Sequence, residues 1–165
     1  MGTNTGVYLS LGTNQGNRKE NLNKALARIA QDIGKVTKLS SIYSTKPWGK
    51  KDQDDFLNQV ILIETTFDPT NLLDKILNIE RDLGRVREEK WGPRIIDIDV
   101  LFYGDVVINI PELTIPHPAI AERKFILIPL DEISPEYVHP LLNKKVRTLL
   151  DECSDPLDVQ LVEML

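Results

Sequence analysis

Residues 95–102, IIDIDVLF, alternate in the manner of a β-strand. Successive strand side chains point to opposite faces. Ile96, Ile98, Val100 and Phe102 then line one apolar face, and Ile95, Asp97, Asp99 and Leu101 line the other. Asp97 and Asp99 stand side by side, with α-carbons about 6.5–7 Å apart at the usual strand rise. Two carboxylates that close oppose each other's ionisation unless cations intervene. Divalent ions held about 3.5–4 Å apart would remove the conflict. Oxygen ligands favour magnesium, which keeps waters and phosphate oxygens as its remaining partners. An acidic pair on the wet face of an antiparallel strand is the competing reading.

What precedes the pair bears on that choice. Arg85, Arg87, Lys90 and Arg94 crowd a loop turned by Trp91-Gly92-Pro93. Surface carboxylates do not require an arginine-rich neighbour. A site that handles phosphates together with metal ions needs both signs of charge.

The 165 residues fit one domain, taken as 1–165, with enough chain for a real core. Net charge is −5, which argues against a general nucleic-acid binder. Cys153 is the single cysteine, so neither a disulfide framework nor a cysteine-rich zinc site is expected. The start, MGTNTGVYLSLG, has no apolar core behind a basic segment, and no run is long enough to span a bilayer. A soluble cytoplasmic monomer, bound to neither nucleic acid nor membrane, is the expectation.

In chain order, residues 6–11 read as a strand and residues 12–17 (GTNQGN) as a turn. Asn17 is a good helix cap, with Glu20 three residues on in a capping-box pattern. Leu22, Ala25, Leu26, Ile29 and Ile33 recur at helical spacing until Gly34. The glycine turn could cradle an anion, but it lacks the P-loop sequence. Residues 36–45 read as one strand, rich in β-branched residues. Residues 46–55 (KPWGKKDQDD) are a loop. Trp48 within it has either a local apolar footing or a flat ligand to cover.

Residues 56–67 form a third strand, with Asn58 either facing solvent or anchoring a polar heterocycle. Asp68-Pro69 opens a second helix, ended by Gly84. Its apolar stripe is Leu72, Leu73, Ile76, Leu77 and Leu83, with Glu80 at the margin or turned into a site. After the acidic strand, Gly104-Asp105 turns into a short partner, VVINI. Residues 111–118 (PELTIPHP) are interrupted by three prolines, and His117 is held extended between two of them. A lone histidine there is by default a surface or packed residue. Residues 119–130 read as a buried helix with Arg123 at its start. One more short helix surrounds Leu149 and Leu150. His139 has no evident partner, and residues beyond Asp155 carry no clear pattern.

Strand, helix, strand, strand, helix, strand is the split βαβ, ferredoxin-like order of an α+β protein. It predicts a mainly antiparallel sheet with its two main helices on one face. The acidic face would point away, into a cleft walled by long catalytic loops. Such a fold supports many functions and does not decide between them.

The ordered set of segments resembles a known family. GRVREEKWGPRIIDIDVLFYG (84–104) is close to the signature around R-W-G-P-R-x-x-D-x-D of the hydroxymethyl-dihydropterin pyrophosphokinases of folate biosynthesis. LGTN, YSTKPWG, FLNQV and LTIPHP fall in the family's order, and the likeness runs from the first strand to about Leu150. The resemblance implies an ATP-dependent diphosphotransferase. It would move pyrophosphate from ATP to the hydroxymethyl oxygen of 6-hydroxymethyl-7,8-dihydropterin and release AMP. By that analogy Asp97 and Asp99 bind two Mg2+ ions, and Asp97 lies nearest the pterin hydroxyl. Arg85 and Arg94 match the catalytic arginines. Glu80, Arg87, Trp91, Arg94, Thr114, His117 and Arg123 match ATP contacts. Thr45, Trp48, Phe56, Asn58, Asp97 and Phe125 match the pterin pocket, where the two phenylalanines can sandwich a flat ring and Asn58 can read its edge.

Some positions depart from the family's pattern. Phe56 stands where a tyrosine often occurs, Trp48 where a smaller aliphatic residue occurs, Pro118 where a tyrosine can follow the histidine, and Glu112 replaces a basic residue. The arginine loop is one residue shorter between Arg87 and Trp91. Three rivals share the sheet pattern or the acidic motif. An RNA-binding module would need the K/R-G-F/Y-G/A-F-V-x-F/Y strand, which is not found. A nuclease or D-x-D glycosyltransferase would form no AMP on pterin addition. A catalytically silent regulatory domain would not need the full set of loop residues.

Overall fold

The computed structural model describes residues 4–46, 54–84 and 95–163. In chain order these form β1 (Thr5–Thr13), α1 (Arg18–Asp32), β2 (Lys35–Leu39), β3 (Ile42–Thr45), β4 (Phe56–Thr65) and α2 (Pro69–Asp82). There follow β5 (Asp97–Tyr103), β6 (Ile108–Ile110), β7 (Leu113–Ile115), a 3-10 turn (Ile120–Glu122), α3 (Lys124–Ile133), α4 (Val146–Glu152) and β8 (Val159–Glu163). The main sheet is antiparallel in the order β5-β1-β4-β3-β8, with β2 also paired to β4. This is the ferredoxin-like α+β arrangement that the element order predicts.

Local chemistry sets the helix starts. Asn17 accepts the Glu20 amide at 3.1 Å, and Asp68 accepts the Asn71 amide at 2.9 Å with Pro69 in the first turn. The Glu20 carboxylate itself reaches Lys24. Leu22, Ala25 and Ile29 of α1 and Leu72, Ile76 and Ile79 of α2 pack with Leu9, Leu11, Ile61, Ile63, Ile98 and Val100 of the sheet in one core. Leu77, expected in that stripe, is instead 40% exposed, and Ile79 takes the buried position. Gly34 has no left-handed backbone angle. Its role is close approach: a Cβ there would overlap the Glu64 carbonyl oxygen of β4.

α1 and α2 share one face of the sheet, as expected, and α3 and α4 cover the other. Ile126, Leu127 and Leu130 of α3 and Val146 and Leu149 of α4 form a second core with Tyr8, Val60, Leu101 and Phe102. Phe102 therefore does not share the face of Ile98 and Val100. Leu9 pairs with Val100 but Tyr8 pairs with Phe102, so Leu101 is an inserted residue. This bulge reverses the alternation beyond it. The expected strand over 36–45 is two strands, because the Ser40 hydroxyl accepts the Val60 amide and breaks the ladder between β2 and β3. VVINI does not pair with β5; its Ile108–Ile110 part pairs with Leu113–Ile115 in a separate two-stranded sheet. The helix expected over 119–130 is a 3-10 turn followed by α3, with Arg123 at the α3 cap. His139 has partners: its Nδ1 accepts the amides of Leu141 and Leu142, and its ring meets Phe102 edge-on. Beyond Asp155 the chain returns as β8 at the sheet edge beside β3. Among the described residues no helix is long and apolar enough to cross a membrane.

Candidate functional site

Register builds the site. Asp97 lies opposite Gly12 of β1, Gly12 lies opposite Asn58 of β4, and Asn58 lies opposite Tyr43 of β3. The next row holds Asp99, Ser10 and Val60. Directly opposed residues share a face. Asp97 and Asp99 therefore share the face of Gly12, Asn58, Phe56 and Thr45. The expected pterin residues Thr45, Phe56, Asn58 and Asp97 come together on it. Asn58 is 5% exposed, and its amide donates to Thr45 Oγ1 at 2.9 Å. Phe125 stands half-buried at the start of α3, with the Arg123 guanidinium 5.7 Å from its ring centre. Gly12 belongs to β1 and not to a turn as expected. A Cβ there would lie 3.3 Å from Asn58 Oδ1, so glycine keeps the floor between Asn58 and Asp97 bare.

The outer edge of the sheet carries a concavity. β5 is the edge strand, and beside it a pocket of about 550 Å³ is walled by Leu73, Ile76 and Leu77 of α2 and by Leu113 of β7. Glu80, Asp99, Glu112, Thr114 and His117 supply its polar groups. The expected ATP contacts Glu80, Thr114 and His117 are thus gathered at one place. Glu80 does more than sit at the stripe's margin. It is 3% exposed, and its Oε2 accepts the Ile98 amide at 2.8 Å.

His117 lines the edge pocket and also feels the charge of Asp97 on the sheet face. Its backbone amide donates to Leu101, and its Nδ1 accepts the Ala119 amide at 3.1 Å. Burial pushes its pKa below the ordinary histidine value, the Arg123 charge adds to that, and Asp97 opposes it. That shift and the acceptor role of Nδ1 both favour the neutral ring. With Nδ1 engaged as an acceptor, the ring proton sits on Nε2.

Asp97 and Asp99 are both half-buried. Among the described residues no cluster of three or more His, Cys, Asp or Glu is poised to hold a metal. Two half-buried carboxylates suit a hard cation that keeps waters and takes ligand oxygens, not one caged wholly by protein. Trp48, Arg85, Arg87, Trp91 and Arg94 lie outside the described residues. Gly12 and Ser10 escaped the sequence reading because a small residue carries no chemical signal; only their register against Asp97 and Asp99 exposes them. The Ile98 amide was illegible for the same reason.

Comparison with known proteins gives a consistent result. The family model for 7,8-dihydro-6-hydroxymethylpterin-pyrophosphokinase matches residues 8–135. A 2-amino-4-hydroxy-6-hydroxymethyldihydropteridine pyrophosphokinase of Methylorubrum extorquens is 43% identical over 160 residues, covering 96% of this chain and 99% of its own. The protein of the same name from Aquifex aeolicus is 40% identical over 146 residues, covering 88% and 91%. Among solved structures, a Plasmodium falciparum HPPK-DHPS superposes with a TM-score of 0.77 at 21% identity. That match covers 92% of this chain and 43% of the larger one, and shows the shared fold.

Proposed function

The chain belongs to the 7,8-dihydro-6-hydroxymethylpterin-pyrophosphokinase family, and on that premise we propose that the bare-floored sheet face and the edge pocket are its two substrate subsites. The reaction moves the pyrophosphoryl group of ATP to the hydroxymethyl oxygen of the dihydropterin and releases AMP. The observation that carries the assignment of subsites is the row Asp97, Gly12, Asn58. Two inter-strand spacings separate its ends, about 10 Å, which accommodates a flat bicyclic ring laid over Gly12. Asn58, its amide oriented by Thr45, reads the polar edge of that ring, and Phe56 and Phe125 flank the ring faces. The hydroxymethyl group then lies toward Asp97.

The edge pocket takes the nucleotide. Leu73, Leu77 and Leu113 offer apolar walls to the base, and Thr114 and the His117 Nε2–H offer hydrogen bonds. A neutral His117 donates to a phosphate oxygen without adding charge. By the family resemblance Arg85 and Arg94 pair with phosphates as charge builds during transfer, and Arg87 and Arg123 contact the nucleotide. Trp91 covers the nucleotide in the same analogy, and Trp48 borders the pterin. Asp97 and Asp99 would hold magnesium, as two ions by the same analogy. When bound, such ions supply charge neutralisation at the triphosphate and lower the pKa of the attacking hydroxyl. Asp97 orients that hydroxyl, and the sheet face keeps it in line with the edge pocket.

Product analysis after mixing the protein with ATP, magnesium and 6-hydroxymethyl-7,8-dihydropterin tests this. AMP with a pyrophosphorylated pterin is expected. ADP with a monophosphorylated pterin would overturn the transfer chemistry while leaving both subsites standing.

A further inference from the structure

We propose that Glu80 is a positioning residue that acts through the Ile98 amide to hold Asp97 and Asp99 in register for the metal. Ile98 lies between the two aspartates, so its backbone sets the spacing and direction of both side chains. β5 is an edge strand, and β1 is its neighbour in the sheet. On its outer side a backbone donor has no strand to pair with. The Glu80 carboxylate takes that place at 2.8 Å. It does so from α2, where the neighbouring buried residues are Leu72, Ile76 and Ile79. A carboxylate only 3% exposed on an apolar stripe is costly to keep unless its hydrogen bonds matter. A charge-assisted bond is stronger and shorter-ranged in its demands than a neutral one, and so fixes the strand more tightly. Outer groups that orient metal ligands commonly govern metal affinity and rate in this way.

The inference rests on the metal reading of Asp97 and Asp99, and the experiment separates the two. Wild type, Glu80→Ala and Glu80→Gln are compared by amide hydrogen exchange at Ile98, by the magnesium concentration giving half-maximal rate, and by kcat and KM for the dihydropterin. In E80A the Ile98 amide should lose protection, kcat should fall about 10–100-fold and the magnesium requirement should rise, with dihydropterin KM within about twofold. E80Q keeps an Oε1 acceptor, so Ile98 protection and the magnesium requirement should stay nearer wild type than in E80A; its rate is not the criterion, since Glu80 also lines the nucleotide pocket. An E80Q protein whose Ile98 stays protected while its magnesium requirement rises as far as in E80A would overturn the proposal, because Glu80 would then act otherwise than through that amide. So would an E80A protein with an unprotected Ile98 that turns over at the wild-type rate and magnesium requirement. If E80A does not fold, Glu80→Met fills similar volume without an acceptor and is judged by the same outcomes. Wild-type turnover indifferent to a chelator would remove the metal reading and this inference with it; a metal-dependent wild type with an unaffected E80A removes the inference alone.

Discussion

Gly34→Ala should destabilise the protein by about 1.5–3.5 kcal/mol. The added Cβ would overlap the Glu64 carbonyl oxygen and lie 2.9 Å from its carbonyl carbon and 3.3 Å from Thr65 Cα. Those are backbone atoms of β4, which cannot rotate aside as a side chain can. Ordinary contact begins at 3.4 Å, so the carbonyl carbon alone demands a shift of 3.4 − 2.9 = 0.5 Å. The same shift strains the 2.9 Å bond from Thr65 Oγ1 to the Ile33 carbonyl. Overpacking of this kind costs about 1–3 kcal/mol and a weakened buried hydrogen bond about 1. Lower unfolded-state entropy of alanine returns about 0.5. For a chain of this size that sum lowers Tm by about 3–14 °C. Urea denaturation gives the free energy directly. Gly6→Ala is the control, since its Cβ would meet Leu62 Cδ1 at an ordinary 3.6 Å. A Gly34→Ala protein as stable as wild type would refute the close-approach argument.

Asp97→Asn and Asp99→Asn should each lower turnover by about 100-fold or more, since groups acting one step further out already cost about 10–100-fold; thermal melts should stay near wild type, and unfolding would instead make these carboxylates structural. Thr45→Val removes the acceptor that orients Asn58, at about 1 kcal/mol, so dihydropterin Kd in a fluorescence titration should rise about fivefold while ATP affinity is unchanged; a shift in ATP affinity alone would reassign this corner. His139 is 5% exposed, and burial holds its pKa below the ordinary value. The unfolded chain then binds the proton more readily, so the stability this residue contributes is fully present above about pH 6.5 and lost as pH falls toward the depressed folded value. Melts from pH 8 to pH 5 should show this decline. His139→Asn keeps an acceptor for Leu141 and Leu142 without titrating and should flatten the curve, leaving the slope due to His117; an unchanged curve would show that His139 is not its source.

The elements with strong periodicity or caps were legible before any coordinates. Asn17 and Asp68 start helices as their chemistry requires, and the Asp97–Asp99 alternation holds through Val100. Thr45, Phe56, Asn58 and Asp97 do share one face, and Glu80, Thr114 and His117 do share one pocket. What failed depended on partners far away in sequence. Phe102 changes face because Leu101 is inserted opposite β1, and nothing in IIDIDVLF marks that residue as extra. Residues 36–45 split because Ser40 bonds to β4, a contact that strand propensity cannot express. Residues 159–163 become a strand only because β3 offers an edge. Leu77 belongs to the helical period of α2, yet it is exposed because the period continues past the core and into the edge pocket.

The bulge at Leu101 also explains why the acidic pair sits at a boundary. Before it, Ile96 just ahead of β5 and Ile98 and Val100 within it enter the core beneath α1 and α2, and Asp97 and Asp99 lie on the opposite face. After it, Leu101 and Phe102 face the second core under α3 and α4, where Phe102 meets Tyr8, Tyr137 and His139. Without the insertion Phe102 would press into the first core, and the face carrying Asp99 would lose the aromatic side chain that closes it. One extra residue thus lets a single strand be half floor and half wall. The half-buried carboxylates lie just short of the second core, which holds the strand beyond them. The Leu101 carbonyl adds the last constraint, since it accepts the His117 amide and so ties the histidine to the same irregularity. A bulge that re-aims side chains beside a site is a recurrent device. Here it sets the carboxylates, the histidine and the wall from one backbone feature.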